Sequence, residues 1–111
     1  MPIWFYEGDP DARLAQAVTE LEERCKRKNP DTYETDIRAF IEHQLPLIYG
    51  EEEENPQKRN RMRPNWLEKE PPLDLKYVLN EMWMVWSKAR IRWGDLIRKM
   101  HTHHSTLSTE H

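Results

Sequence analysis

At 111 residues the chain is long enough for one domain and too short for a (β/α)8 barrel or a full dinucleotide-binding fold. Apolar residues make up 37% and charged residues 33%, and the longest uncharged apolar run is only a few residues, so nothing in it can span a bilayer. The net charge of −3 hides an asymmetry: residues 1–54 hold 14 acidic and 6 basic side chains, a net of −8, whereas residues 55–111 hold 6 acidic and 11 basic, a net of +5. The change of sign is abrupt, from Glu51, Glu52, Glu53 and Glu54 to Lys58, Arg59, Arg61 and Arg63. Opposite halves of this kind can pair within the fold or between subunits, or can present two surfaces to two partners.

Taken in chain order, the Ile3-Trp4-Phe5-Tyr6 segment is too apolar to lie loose in water, and it is expected to rest on the helices. It lacks the basic region and long apolar stretch of a secretory signal, and Pro2 excludes N-myristoylation. A single cysteine, Cys25, cannot form an internal disulfide and favours a reducing compartment. These features predict an intracellular protein, cytoplasmic or nuclear, with no membrane association.

Residues 10–28 read as a first helix. Asp9 is a suitable N-cap and Pro10 sits at the first helical position, where its missing N–H costs nothing. Leu14, Ala17, Val18, Leu21 and Cys25 recur on one face, the basic Arg24, Lys26, Arg27 and Lys28 crowd the last turns, and Asn29-Pro30 ends the pattern. Residues 32–49 read as a second helix with Tyr33, Ile37, Phe40, Ile41, Gln44, Leu45 and Ile48 on its apolar face. Pro46 is expected to kink it or to end it near Gln44, with Gly50 as the latest stop. Residues 50–72 carry no apolar periodicity and are expected to form a long polar loop, with Trp66 either anchoring it to the core or docking on a partner.

Residues 73–101 carry the longest periodic pattern. Leu75, Val78, Leu79, Met82, Trp86, Ala89, Trp93, Leu96, Ile97 and Met100 follow the helical repeat, and an unbroken helix would extend for about 40 Å, with Gly94 its weak point. Tyr77, Met84 and Ile91, spaced by seven, form a second apolar seam on the other side, with Trp83 at its edge. A helix apolar on two sides runs either through the middle of its fold or against another chain. Residues 102–111 are expected to be a polar tail. The expected fold is therefore all-α: a single three-helix domain over residues 1–104, with a long C-terminal helix, a long polar loop, an aromatic N-terminal segment and a flexible tail at 105–111. The expected core is Trp4, Phe5, Leu14, Val18, Leu21, Ile37, Phe40, Ile41, Leu45, Leu79, Met82, Trp86 and Trp93.

The residues give little footing to catalysis. His101, His103 and His104 are good ligand types, yet no cysteine or carboxylate stands nearby at a zinc-site spacing, and a solvated tail is the expected state. Cys25 with His43 as base would make a nucleophilic pair, but Cys25 falls on the apolar stripe. Carboxylate pairs such as Glu20 and Glu23 fall on exposed helix faces. There is no GxGxxG, phosphate-binding loop or HExxH, and three glycines in all leave little material for a nucleotide cradle. No enzyme activity, no cofactor and no metal is expected.

Two binding readings remain. Trp, Met, Tyr and Arg are the residue types of interface hot spots, which points to a protein–protein interaction or adaptor role through Tyr77, Trp83, Met84, Ile91 and Trp66, with self-association as a homo-oligomer included. The alternative is RNA or other nucleic-acid binding through Lys58, Arg59, Arg61 and Arg63, and through Lys88, Arg90 and Arg92 interleaved with Trp83, Trp86 and Trp93. Those basic groups could equally serve an acidic protein partner. Against nucleic acid stand the negative net charge and the acidic run beside the basic cluster. In composition, five Trp, few Gly and blocks of opposite charge in a short chain, the sequence resembles small viral accessory proteins, a likeness that implies a non-catalytic adaptor.

Overall fold

The first helix begins where its residues require. Asp9 has extended backbone and its carboxylate accepts a hydrogen bond from the Ala12 N–H at 2.8 Å, satisfying one of the open donors of the first turn ahead of Pro10. At the other end the Asn29 N–H donates to the Cys25 carbonyl at 2.9 Å, and Lys26, Arg27 and Lys28 complement the helix dipole. The computed structural model describes residues 6–54 and 71–108, with side chains described for 6–50 and 71–104. Every regular element among them is helical: α1 (Pro10–Lys28), α2 (Tyr33–Glu54), a 3-10 turn (Leu73–Leu75), α3 (Lys76–Ala89) and α4 (Trp93–Ser108). Trp4, Phe5 and Trp66 lie outside the described residues, as do Lys58, Arg59, Arg61 and Arg63.

α2 departs from the expected course. It neither ends near Gln44 nor stops at Gly50; it passes Pro46 and continues to Glu54, so that the Glu51–Glu54 run is helical rather than part of a loop. The physical reason is where the proline sits. Pro46 and Glu42 are both exposed, so the Glu42 carbonyl, which loses its helical donor to the proline ring, faces water instead of the core. The buried side of the same helix carries Ile37, Phe40, Ile41, Gln44 and Ile48 without interruption.

The larger correction concerns residues 73–101. The single long helix is two helices. α3 ends at Ala89, Arg90 takes a left-handed conformation (φ 58°, ψ 47°), and α4 starts at Trp93. A side chain in that conformation costs on the order of 1 kcal/mol. Tertiary hydrogen bonds offset it. The Arg13 guanidinium of α1 donates to the Ala89 carbonyl at 3.2 Å and to the Arg90 carbonyl at 2.7 Å, and the Trp86 indole N–H donates to the Ile91 carbonyl at 2.7 Å. The turn returns α4 onto α2 and α1, while α3 packs mainly on α1. The result measures 38 × 36 × 29 Å, where an unbroken rod would have projected from one end. α4 then runs beyond the expected limit, through His101, His103 and His104 to Ser108, so the first part of the expected tail is helix.

Ile91 is corrected with it. The turn takes it out of the seam with Tyr77 and Met84 and into the core, where it is 6% exposed. Leu96, Ile97 and Met100 are fully buried as well. Of the expected core, Val18, Leu21, Ile37, Phe40, Ile41, Met82 and Trp93 are buried, while Leu14, Leu45, Leu79 and Trp86 pack on it partly buried. Trp93 is the centre: it is 1% exposed, its indole N–H donates to Gln44 Oε1 at 3.1 Å, and its ring lies 6.1 Å from Trp83 and 5.9 Å from Trp86. Gln44 is a buried polar side chain that this bond satisfies.

Replacing Trp93 should therefore be costly in two separable ways. Trp93→Ala is expected to lower the unfolding free energy by about 3–5 kcal/mol in a urea titration. Trp93→Phe keeps most of the burial but leaves the Gln44 amide oxygen unpaired, and should cost about 1–3 kcal/mol.

Candidate functional site

α3 presents one side to the core and one to solvent. Val78, Met82, Val85 and Ala89 are buried; on the opposite side Asn80, Met84 and Ser87 are exposed, with Met84 at 52%. Leu73, in the 3-10 turn that leads into the helix, is 82% exposed. Trp83, next to Met84, is partly buried and stacks at a tilt on Trp86, with ring centroids 4.8 Å apart. Met84 is thus an exposed apolar side chain on a helix whose other side is used in the core, and Leu73 is a second one in the turn ahead of it.

Of the residues expected on this surface, Met84 is exposed, Trp83 is at its border, and Ile91 is in the core. Tyr77 is half-buried and does structural duty: its hydroxyl donates to Asp36 Oδ2 at 2.6 Å, tying α3 to α2. Burial and that bond push its phenol above the ordinary range. Two of the described basic residues expected here are paired with carboxylates. Lys88 Nζ lies 2.6 Å from Glu20 Oε2, Arg92 Nε lies 2.9 Å from Asp95 Oδ2, and Arg90, exposed at the turn, offers its carbonyl to Arg13.

A polar seam between α1 and α3 escapes a reading of the sequence. Glu20 accepts from the Tyr6 hydroxyl, from Lys88, and from Arg24 Nη1 at 3.3 Å; Arg24 Nε in turn lies 2.7 Å from Glu81 Oε1. Burial alone would raise the Glu20 carboxyl, but the hydrogen bonds from Lys88 and Tyr6 and the charges of Lys88 and Arg24 outweigh it and hold the group below its usual value. The visible traces in the sequence are the Glu20–Arg24 spacing of four and Glu81 at the edge of an apolar stripe. Glu20 and Glu23 line an open groove of about 550 Å³ on α1 with Gln16, Thr19 and Arg27. With Glu20 held ionised by two cations, that pair is not poised as acid and base.

Cys25 is fully buried, and burial with the nearby Glu81 and Asp36 charges pushes its thiol up to about 12, so it stays protonated. Among the described residues no three His, Cys, Asp or Glu side chains come together as a metal set, and no helix is long and apolar enough to cross a membrane. The histidine run divides: His101 is exposed, His103 Nε2 lies 2.8 Å from Glu22 Oε1, and His104 is 3% exposed with no hydrogen-bond partner for either ring nitrogen. No protein-family model, curated protein or solved structure matches the chain.

His104 gives the fold a pH dependence with a definite sign. Burial, and then the neighbouring His103 and Arg38, lower its imidazole below the ordinary value. The folded state therefore binds that proton less readily than the unfolded chain, so the stability it permits is complete above pH about 6.5 and declines as the pH falls below it. Thermal melts between pH 8 and pH 5 should show this decline, and His104→Leu should flatten it while leaving the melting temperature at pH 8 unchanged or higher. The loss linked to Glu20 falls separately, in the carboxylate range.

Proposed function

We propose that this chain is a non-catalytic protein–protein interaction module that docks a partner on the solvent side of α3. The observation that carries the reading is Met84, half-exposed beside the Trp83 ring on a helix whose inner side is already filled. A methionine adapts its shape to a facing surface, and an aromatic ring at its border supplies rigid area at little entropic cost. Leu73, 82% exposed in the 3-10 turn ahead of the helix, offers a second apolar side chain.

The ion pairs favour a protein partner over nucleic acid. Lys88 of α3 and Arg92 of the turn, two of the three basic residues of this stretch expected to meet phosphate, are each set against a carboxylate, Glu20 and Asp95. A phosphate backbone would have to compete with those carboxylates for them.

The test compares the wild-type chain with Met84→Glu and with Leu73→Glu as baits in extracts of the native host. Both positions are exposed, so the substitutions should change stability by no more than about 0.5 kcal/mol. The partner recovered by the wild type should fall at least tenfold with Met84→Glu. Undiminished recovery with both variants would remove this surface from consideration. A gel shift at 50 mM salt that weakens steeply by 200 mM would instead put the RNA reading first.

A further inference from the structure

We infer that α3 and α4 can join into one continuous helix that exchanges α4 between two copies of this chain, giving an intertwined dimer. The inference rests on the α3–α4 turn and is independent of the α3 docking surface.

The two helices are in phase. At 100° per residue, the buried apolar side chains Val78, Met82, Val85 and Ala89 of α3 and Trp93, Leu96, Ile97 and Met100 of α4, with His104, fall within an arc of about 120° when the helix is carried through residues 90–92; Glu81 lies just outside it, and Ile91, buried at the turn, would be carried to the opposite side. Two helices joined by a turn have no need to share a register. No proline stands between Leu73 and Ser108, and residues 90–92 contain no glycine, so the local sequence calls for a helix and tertiary contacts impose the turn. Arg90 is in a left-handed conformation that a glycine would adopt freely. A short connection under strain, between elements that would prefer to be continuous, is the setting in which neighbouring copies exchange an element.

The exchange preserves what holds α4 in place. The Trp93–Gln44 bond, the rings of Trp83 and Trp86 against Trp93, and the His103–Glu22 pair all join α4 to the body formed by α1, α2 and α3. Each can form equally well between α4 of one copy and the body of the other. The contacts that cannot are those that make the turn itself: Arg13 on the Ala89 and Arg90 carbonyls, Trp86 on the Ile91 carbonyl, and the burial of the Ile91 side chain, which the turn brings into the core. The balance between monomer and dimer is therefore set at the turn, where three substitutions act in known directions. Arg90→Gly favours the turn and disfavours the continuous helix. Arg13→Met and Trp86→Phe remove a clamp while keeping apolar bulk.

The experiment refolds the full chain from denaturant at high and low protein concentration and weighs the products by size-exclusion chromatography with light scattering. The wild type should yield a concentration-dependent dimer, Arg13→Met and Trp86→Phe should yield more, and Arg90→Gly should reduce its association constant about tenfold or more. A second measurement identifies the dimer as exchanged. In the double variant Glu22→Cys, His103→Cys, a short bismaleimide should link cysteines within one chain in the monomer fraction and between chains in the dimer fraction; Cys25, buried at 0% exposure, is out of its reach. Only monomer for the wild type and both clamp variants overturns the proposal. So does a dimer fraction that runs as single chains on a denaturing gel after crosslinking, which marks copies merely lying side by side. Met84→Glu should leave the exchange untouched, so the outcome is separable from that of the docking surface.

Discussion

The guanidinium of Arg13 bridges from α1 to the carbonyls of Ala89 and Arg90, and the shape of the molecule follows from that contact. It satisfies the open acceptors at the end of α3 and steadies a left-handed residue that is not glycine. Once the chain has turned there, α4 can lie on α2, and Trp93 enters the centre to meet Gln44. Without the turn, Leu96, Ile97 and Met100 would extend beyond the body with no apolar surface of their own chain to cover them. That cation, with the Trp86 indole on the Ile91 carbonyl, thus holds α4 in the core instead of leaving it as a projection.

Much of this was legible in the sequence, and the failures have physical causes. α1 was readable to the residue because its signals are local: an Asp–Pro start, one apolar stripe, a basic last turn and Asn–Pro at the end. The all-α class followed from the same periodicities. The end of α2 was misread because the cost of a proline depends on which side of the helix it faces, and Pro46 faces water. The break after Ala89 could not be read at all. Local propensity there favours helix, the buried register continues across it, and the group that imposes the turn is 76 residues away in sequence. Ile91 was assigned to the wrong side for that reason alone. Met84 and Trp83 lie within α3, before the break, where Met84 is exposed and Trp83 partly buried.

The uneven charge of the two halves finds part of its meaning in the polar contacts between the helices. Glu20 of the acidic half takes Lys88 of the basic half, Glu22 takes His103, and Asp36 takes the hydroxyl of Tyr77. The Arg24–Glu81 pair runs the other way and completes the row. These pairs are partly exposed, so each adds little to stability in water. Their effect is to set orientation, since a helix shifted by one turn would bring like charges together. They also engage cations that the sequence left open to a phosphate partner, which leaves the solvent side of α3 to be defined mainly by Met84 and its aromatic neighbour.

Tyr6 enters the fold at the same place. Its backbone N–H donates to the Lys88 carbonyl at 3.2 Å, one residue before the end of α3, and its hydroxyl reaches Glu20. Residue 6 is therefore moored beside the bend, at the last turn of α3. A pull on the backbone at Tyr6 would be transmitted to the joint between α3 and α4 through the Lys88 carbonyl.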